Sequence, residues 1–260
     1  MTLLGAYVQP RDRAVWSGGL VTLLGEFGVT AGAARVALSR LATREMLSRT
    51  RNGRLAHYEI ARRGAAILEE GDSRIFSLGV VDDESRRWTV LWHTIPETRR
   101  VERTRLTRRL RFLGFGPLQD GTWLAAHDRE REVAAVLAEL DVGEHAGVLL
   151  GVPAASLDFR AIVGRVWDLD ELAGRYRAFV DEYGRYGGAS SRAGLDDRQA
   201  LVLRTRLIHT FRQFPFLDPE LPEDLVPGPP HRAQAVHLFH ELYAALAPSA
   251  QRHFDEVTTP

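Results

Sequence analysis

Apolar positions along the chain change period several times, and each change marks an element. In "VWSGGLVTLLGEFG" Leu20, Leu23 and Leu24 recur at helical spacing, and the segment closes at Gly28, a residue suited to a helix C-terminus. Thr30 is placed to cap a second helix, on which Ala34, Ala37, Leu38 and Leu41 fall within about one third of the circumference. After Leu47 the period drops to two. "LSRTR" and "RLAHYEI" alternate, with Ala56, Tyr58 and Ile60 on one face, and Asn52-Gly53 between them favours a two-residue hairpin. Helix, turn, helix and hairpin are the order of a winged helix-turn-helix, expected over residues 1–64.

A helical pattern in "RRGAAILEEGDSRIF" predicts a linker over 65–86. "RRWTVLWHTIP" then reads as a buried strand ending before Pro96, and "ETRRVERTRLTRRLRFLGFG" as a helix with Leu106, Leu110 and Leu113 inward and Gly114 as its stop. Strands around Asp120-Gly121, a helix in "REREVAAVLAEL" and a strand in "HAGVLLGV" complete a βαββαβ order over 87–156, the order of a ferredoxin-like layer. The remainder, 157–260, is helical in pattern. Leu172, Tyr176 and Phe179 form one inward stripe, and Leu203, Leu207, Phe211 and Phe214 another in "ALVLRTRLIHTFRQFPF", where Arg206, His209 and Gln213 share a different face. "GGASSRAGLDD" between them reads as an exposed loop. The fold class expected is α+β multidomain.

Composition narrows the chemistry. The 260 residues are 45% hydrophobic, which suits folded cores, and no run reaches the roughly 18 apolar residues of a membrane span. The opening "MTLLGAYVQPRDRAV" lacks the apolar core and cleavage site of a signal peptide, so a cytoplasmic location is expected. Cysteine is absent, which removes disulfides, thiolate metal sites and thiol nucleophiles. All 34 basic residues are arginine, so lysine Schiff-base chemistry is removed too. Net charge is zero, but as an average over unlike parts. Residues 1–63 hold ten arginines against Asp12, Glu26, Glu45 and Glu59, a balance of +6, while 115–160 hold three against eight acids. A basic N-terminal module on an otherwise acidic chain points to a polyanion partner.

The second helix has a face made for a major groove. Gly32, Arg35, Val36, Ser39, Arg40 and Thr43 combine small residues that permit close approach, guanidinium forks that match guanine O6 and N7, hydroxyls, and methyls that meet thymine. At the hairpin tip Arg49, Arg51 and Arg54 offer backbone contacts. With Asn52 and Gly53 as the turn, Arg51 and Arg54 would stand opposite one another, a repulsion that a phosphate would relieve. Double-stranded DNA is therefore the expected partner.

Other clusters carry less. The middle-helix arginines Arg99, Arg100, Arg103, Arg105, Arg108, Arg109 and Arg111 read as a solvated face interspersed with Glu97 and Glu102, or as an auxiliary phosphate-binding surface. His93 ends the first middle strand where a nuclease of that layout would need a carboxylate. His237, His240 and Glu241 lie on an apolar helix without a third ligand, so no metal or cofactor is expected. The alternative to a DNA reader is an enzyme on the middle layer, a metal-dependent nuclease or an acyl-CoA-processing protein. No G-x-S-x-G elbow, P-loop or dinucleotide fingerprint supports it.

"LLGAYV…W…GLVTLLGEFGVTAGAARVALSRLATREMLSRTRNGRLAHYEIARRG", with "RYRAFVDEYG" and "LVLRTRLIHTFRQFPFLDPELPEDLVP" further on, resembles PaaX-family transcriptional regulators over nearly the whole chain. Against that pattern the chain starts almost inside the first helix, and "GPPHRAQA" stands where a tryptophan usually follows the "LP" segment. The resemblance implies a repressor of phenylacetate or related aromatic-acid catabolism, released by an aryl-acyl-CoA thioester. It suggests a homodimer on a palindromic operator. Arginine forks for CoA phosphates and an aromatic lining for the aryl group make Arg204, His209, Arg212 and Asp218 candidate effector-binding residues, and the same four could instead fix the "FPFLDPELP" turn.

Overall fold

The computed structural model describes all residues except 12, 80–86, 155, 157 and 224, so the last part of the expected 65–86 linker lies outside the described residues. Along the chain run α1 (Thr2–Tyr7), β1 (Val15–Trp16), α2 (Ser17–Gly25), α3 (Ala31–Thr43), β2 (Leu47–Asn52), β3 (Leu55–Ile60) and α4 (Arg62–Ser77). Next come β4 (Trp88–His93), α5 (Arg100–Phe112), β5 (Gly116–Gln119), β6 (Thr122–Ala125), α6 (Glu130–Glu139) and β7 (Ala146–Gly151). The rest is helical: α7 (Phe159–Val166), α8 (Leu169–Tyr183), α9 (Ala189–Arg192), α10 (Asp197–Phe211), α11 (Phe214–Leu217), α12 (Arg232–Ala245) and α13 (Ala247–Thr258). The architecture is α+β and multidomain.

Two compact units result. One is made of Met1–Phe76, Asp181–Arg212 and His237–Pro260, the other of Ser77–Val180 and Gln213–Val236. The helical C-terminal sequence thus serves both, because its inward stripes pack on whatever apolar face the earlier segments leave open.

In the first unit, β1, β3 and β2 form a three-stranded antiparallel sheet in that order. Helix α10 lies along α13, and α13 against α2. That last approach is close enough to require Gly19, where a Cβ would come within 2.5 Å of the Val257 carbonyl oxygen. Tyr7 of α1 is fully buried and stacks on Phe254 at 5.2 Å, so the opening residues form a packed helix of their own ahead of α2. Phe211 stacks on Phe239 at 3.9 Å.

In the second unit the sheet order is β5-β6-β4-β7, all antiparallel. Leu91 and Trp123, opposite one another, face Leu106 and Leu110 of α5 and Val133 and Val136 of α6. Trp88 and Leu124 point the other way, onto Val163 and Val166 of α7. Period-two alternation thus gives the sheet two covered faces.

Three local expectations are corrected. Ala37 is exposed, so the buried stripe of α3 is Ala34 and Leu38 with Leu41 half-buried. Phe214 is not on the helix of Leu203, Leu207 and Phe211: α10 ends at Phe211, and Phe214 opens α11 with Pro215 in its first turn, a position where proline's missing N–H costs nothing. The 187–197 stretch contains α9.

Candidate nucleic-acid interface

Helix α3 is set by its ends. Gly28 takes a φ of 81°, turning the chain out of α2, and the Ala33 N–H donates to Thr30 Oγ1 at 3.3 Å, satisfying one of the first-turn amides. Ala34 and Leu38 anchor the inner face. Consequently Gly32, Arg35, Val36, Ser39, Arg40 and Thr43 are all exposed, Val36 by 51%. Thr43 donates its hydroxyl hydrogen to the Ser39 carbonyl at 3.1 Å, which turns a methyl rather than a donor outward. Among the described residues Arg35 and Arg40 have no acidic partner.

The hairpin differs in register from the sequence expectation. Arg51 stands opposite Ala56 and Asn52 opposite Leu55, so the turn is Gly53-Arg54 and Arg51 and Arg54 are not paired. Gly53 has a φ of 60°, the positive value a type II′ turn requires at its first central position. One more residue pair on the ladder removes the repulsion. At the base Leu47 pairs with Ile60 and Arg49 with the buried Tyr58; beyond them the strands leave the core, and Arg49, Arg51 and Arg54 are exposed. The two basic groups, on α3 and on the tip, thus occupy one module, with no ion pair among the described residues neutralising them.

The candidate effector residues divide between the two units. Arg204 is 7% exposed: its Nε donates to the Tyr243 carbonyl at 2.9 Å, and its guanidinium lies over the rings of Tyr243 at 3.7 Å and Tyr7 at 5.1 Å. Arg212 donates to Thr2 Oγ1 at 3.0 Å, and His209 Nδ1 is 3.3 Å from the same oxygen. These three hold α1 and α12 in the first unit. Asp218 belongs to the second unit, 3% exposed, accepting from Tyr176 Oη at 2.6 Å, Arg232 Nε at 2.7 Å and the Glu220 N–H at 2.8 Å. It fixes the "DPELP" turn. Burial and the facing carboxylate push the Tyr176 phenol far above its ordinary range. Tyr176 and Arg232 were missed as Asp218's partners because they lie 42 and 14 residues away in sequence.

Residues 1–64 match the model of the PaaX-like protein, 82–163 that of the PaaX protein central Cas2-like domain, and 167–256 that of the PaaX-like protein C-terminal domain. The chain belongs to the PaaX family. Transcriptional repressor PaaX of Escherichia coli strain K12, a regulator and not an enzyme, is 26% identical to it over 259 residues, covering 96% of this chain and 79% of that protein. The structure of the uncharacterized protein Rv0674 from Mycobacterium tuberculosis is similar in fold, with a TM-score of 0.57 at 22% identity over 98% of this chain and 96% of that one. In this PaaX-family chain the end of β4 borders an open cavity of about 650 Å³ that holds His93, Arg103, Asp120 and Trp123. Burial and the Arg103 charge lower the His93 pKa, favouring neutral imidazole. Among the described residues no group of three His, Asp or Glu side chains could hold a metal ion, and no helix is long and apolar enough to cross a membrane.

Proposed function

We propose that this PaaX-family chain is a ligand-responsive, DNA-binding transcriptional repressor of aromatic-acid catabolic genes, of the phenylacetate kind. In this reading residues 1–64 are a winged helix-turn-helix, and β4 to β7 with α5 and α6 form a ferredoxin-like spacer. The observation that carries it is the exposed, unneutralised face of α3 beside the arginine tip of the hairpin. Arg35 and Arg40 would read guanine edges, Val36 and the Thr43 methyl would meet thymine, and Gly32 and Ser39 would allow close approach to the groove. Arg49, Arg51 and Arg54 would hold phosphates and fix the register.

Two copies, a homodimer, would engage the halves of a palindromic operator in the cytoplasm, and an aryl-acyl-CoA would favour a state whose helices no longer match both half-sites. A loss of a few kcal/mol is enough to release an operator. The test is binding of the full chain to a labelled promoter fragment from its own gene neighbourhood, at fixed salt, with and without phenylacetyl-CoA. Specific binding weakened by the thioester supports the proposal. Specific binding indifferent to it removes the effector, and absence of specific binding removes the repressor.

A further inference from the structure

The first unit contains a second arginine-rich feature, unrelated to the hairpin: a cavity of about 350 Å³ bounded by Arg185, Arg198 and Arg206, by Tyr183 and Tyr186, and by the carboxylates Glu26 and Glu182. Its size falls within the roughly 300–1,000 Å³ of small-molecule sites. Helix spacing builds one wall. Arg198, Val202 and Arg206 follow at i, i+4 and i+8 on α10, so two guanidinium groups flank an aliphatic patch. The other wall is aromatic. Tyr183 is almost fully buried, its hydroxyl 3.0 Å from Thr210 Oγ1, and Tyr186 carries the Arg185 guanidinium 4.8 Å above its ring. Three arginines against two carboxylates leave a cationic excess beside Tyr183, Tyr186, Val202 and Leu203, a combination that suits a ligand with an aryl body and an attached anionic group.

At one edge lies Glu26, just past the end of α2 and four residues before the Thr30 cap of α3. Its Oε1 is 2.8 Å from His253 Nε2 of α13 and 3.6 Å from Arg198 Nε, and its Oε2 is buried without a hydrogen-bond partner. Arg198 is thus shared between the cavity and the carboxylate that tethers the turn into the DNA-facing helix. We infer that this cavity binds an aryl-bearing anion and that the anion, by drawing Arg198 from Glu26, changes the hold of α10 and α13 on the α2–α3 turn. Such coupling needs only that the two positions of the turn differ in ligand affinity. The binding half stands independently; the coupling half rests on the repressor reading above.

Calorimetry on the full chain, with phenylacetate, phenylacetyl-CoA and free CoA as separate probes, tests the binding half without DNA. At least one aryl probe binds, more tightly than CoA, and whether the free acid or the thioester does so distinguishes the two sources of the anion. Arg206→Ala, at an exposed position, weakens that binding by about tenfold or more, because a charge-assisted hydrogen bond is lost, and Arg198→Ala/Arg206→Ala weakens it further. Tyr186→Ala weakens it by a second route. No aryl probe binding to the wild type, CoA binding as well as the thioester, or binding retained in these variants overturns the site. For the coupling, Glu26→Gln, which takes a negative charge from the cavity edge and frees Arg198, binds the probe at least as tightly as the wild type but makes operator affinity indifferent to it; an operator response of wild-type size overturns the coupling. A wild type that binds the aryl probe but no operator sinks the repressor reading and leaves the cavity assignment standing.

Discussion

Two glycines on the same helix give opposite answers to the same substitution. Glycine inside a helix is worth about 0.8–1.0 kcal/mol less than alanine, so Gly→Ala in α2 would ordinarily stabilise the protein. At Gly25 a Cβ meets nothing within 4 Å, and Gly25→Ala should gain up to about that amount. At Gly19 the added carbon would sit 2.5 Å from the Val257 carbonyl oxygen and 2.7 Å from the Thr258 Cα, both backbone atoms that no rotamer change can move. Overpacking of this kind costs about 1–3 kcal/mol, occasionally more, which exceeds the propensity gain. Gly19→Ala is therefore destabilising by up to about 2 kcal/mol, and because the propensity gain is common to both, the two variants differ by the overpacking cost of about 1–3 kcal/mol. Urea unfolding followed by circular dichroism measures the difference. If Gly19→Ala is as stable as Gly25→Ala, then α13 does not rest on α2 as described, and with it falls the packing through which the C-terminal helices hold the N-terminal module.

Asp218→Ala should cost about 3–5 kcal/mol in the second unit, because it leaves Tyr176 and Arg232 without their buried acceptor, whereas Asp218→Asn should cost less; a loss below about 1 kcal/mol for the alanine variant would contradict the network. Replacing Arg49, Arg51 and Arg54 with alanine should flatten the dependence of log K on log salt by about 0.9 per arginine, roughly 2.7 in all, and an unchanged slope would mean that the tip does not touch phosphate. Burial pushes the Tyr183 phenol up to about 12. The folded state therefore holds that proton longer than the unfolded chain, whose tyrosines ionise near 10, so Tyr183 contributes stability fully present below about pH 10 and lost as pH rises toward 12. An alkaline spectrophotometric titration in which Tyr183→Phe removes no late-titrating tyrosine would refute this.

Much of the fold was legible because it rests on local periodicity. Leu106, Leu110 and Leu113, or Leu172, Tyr176 and Phe179, need only their own helix to be recognised as inward, and all six are buried. The exposed face of α3 was legible for the same reason: once Ala34 and Leu38 point in, Arg35, Val36, Ser39 and Arg40 must point out. The hairpin register was not, since Asn52-Gly53 and Gly53-Arg54 both supply a positive-φ glycine, and the two pairings differ by a two-residue shift that leaves Tyr58 on the same face in either. Least legible was the C-terminal chemistry. Arg204 was a candidate fork for phosphate, yet its partners are the Tyr243 and Ala6 carbonyls and the Tyr243 and Tyr7 rings, brought in by α12 and α1. The cavity on α10 joins Tyr183 and Tyr186 to Arg198 and Arg206 with Glu26 from far upstream, a grouping no sequence spacing reveals.

The central claim is that α3 reads DNA sequence. It is tested most directly by fluorescence anisotropy of the wild type and of Arg35→Ala/Arg40→Ala on two labelled duplexes at one salt concentration, the promoter fragment and a scrambled sequence of equal length. The wild type should prefer the promoter fragment by about 10³-fold or more, and the double variant should lose most of this preference while still binding both duplexes weakly. A wild type that binds the two duplexes equally, or a double variant that keeps the full preference, would contradict it.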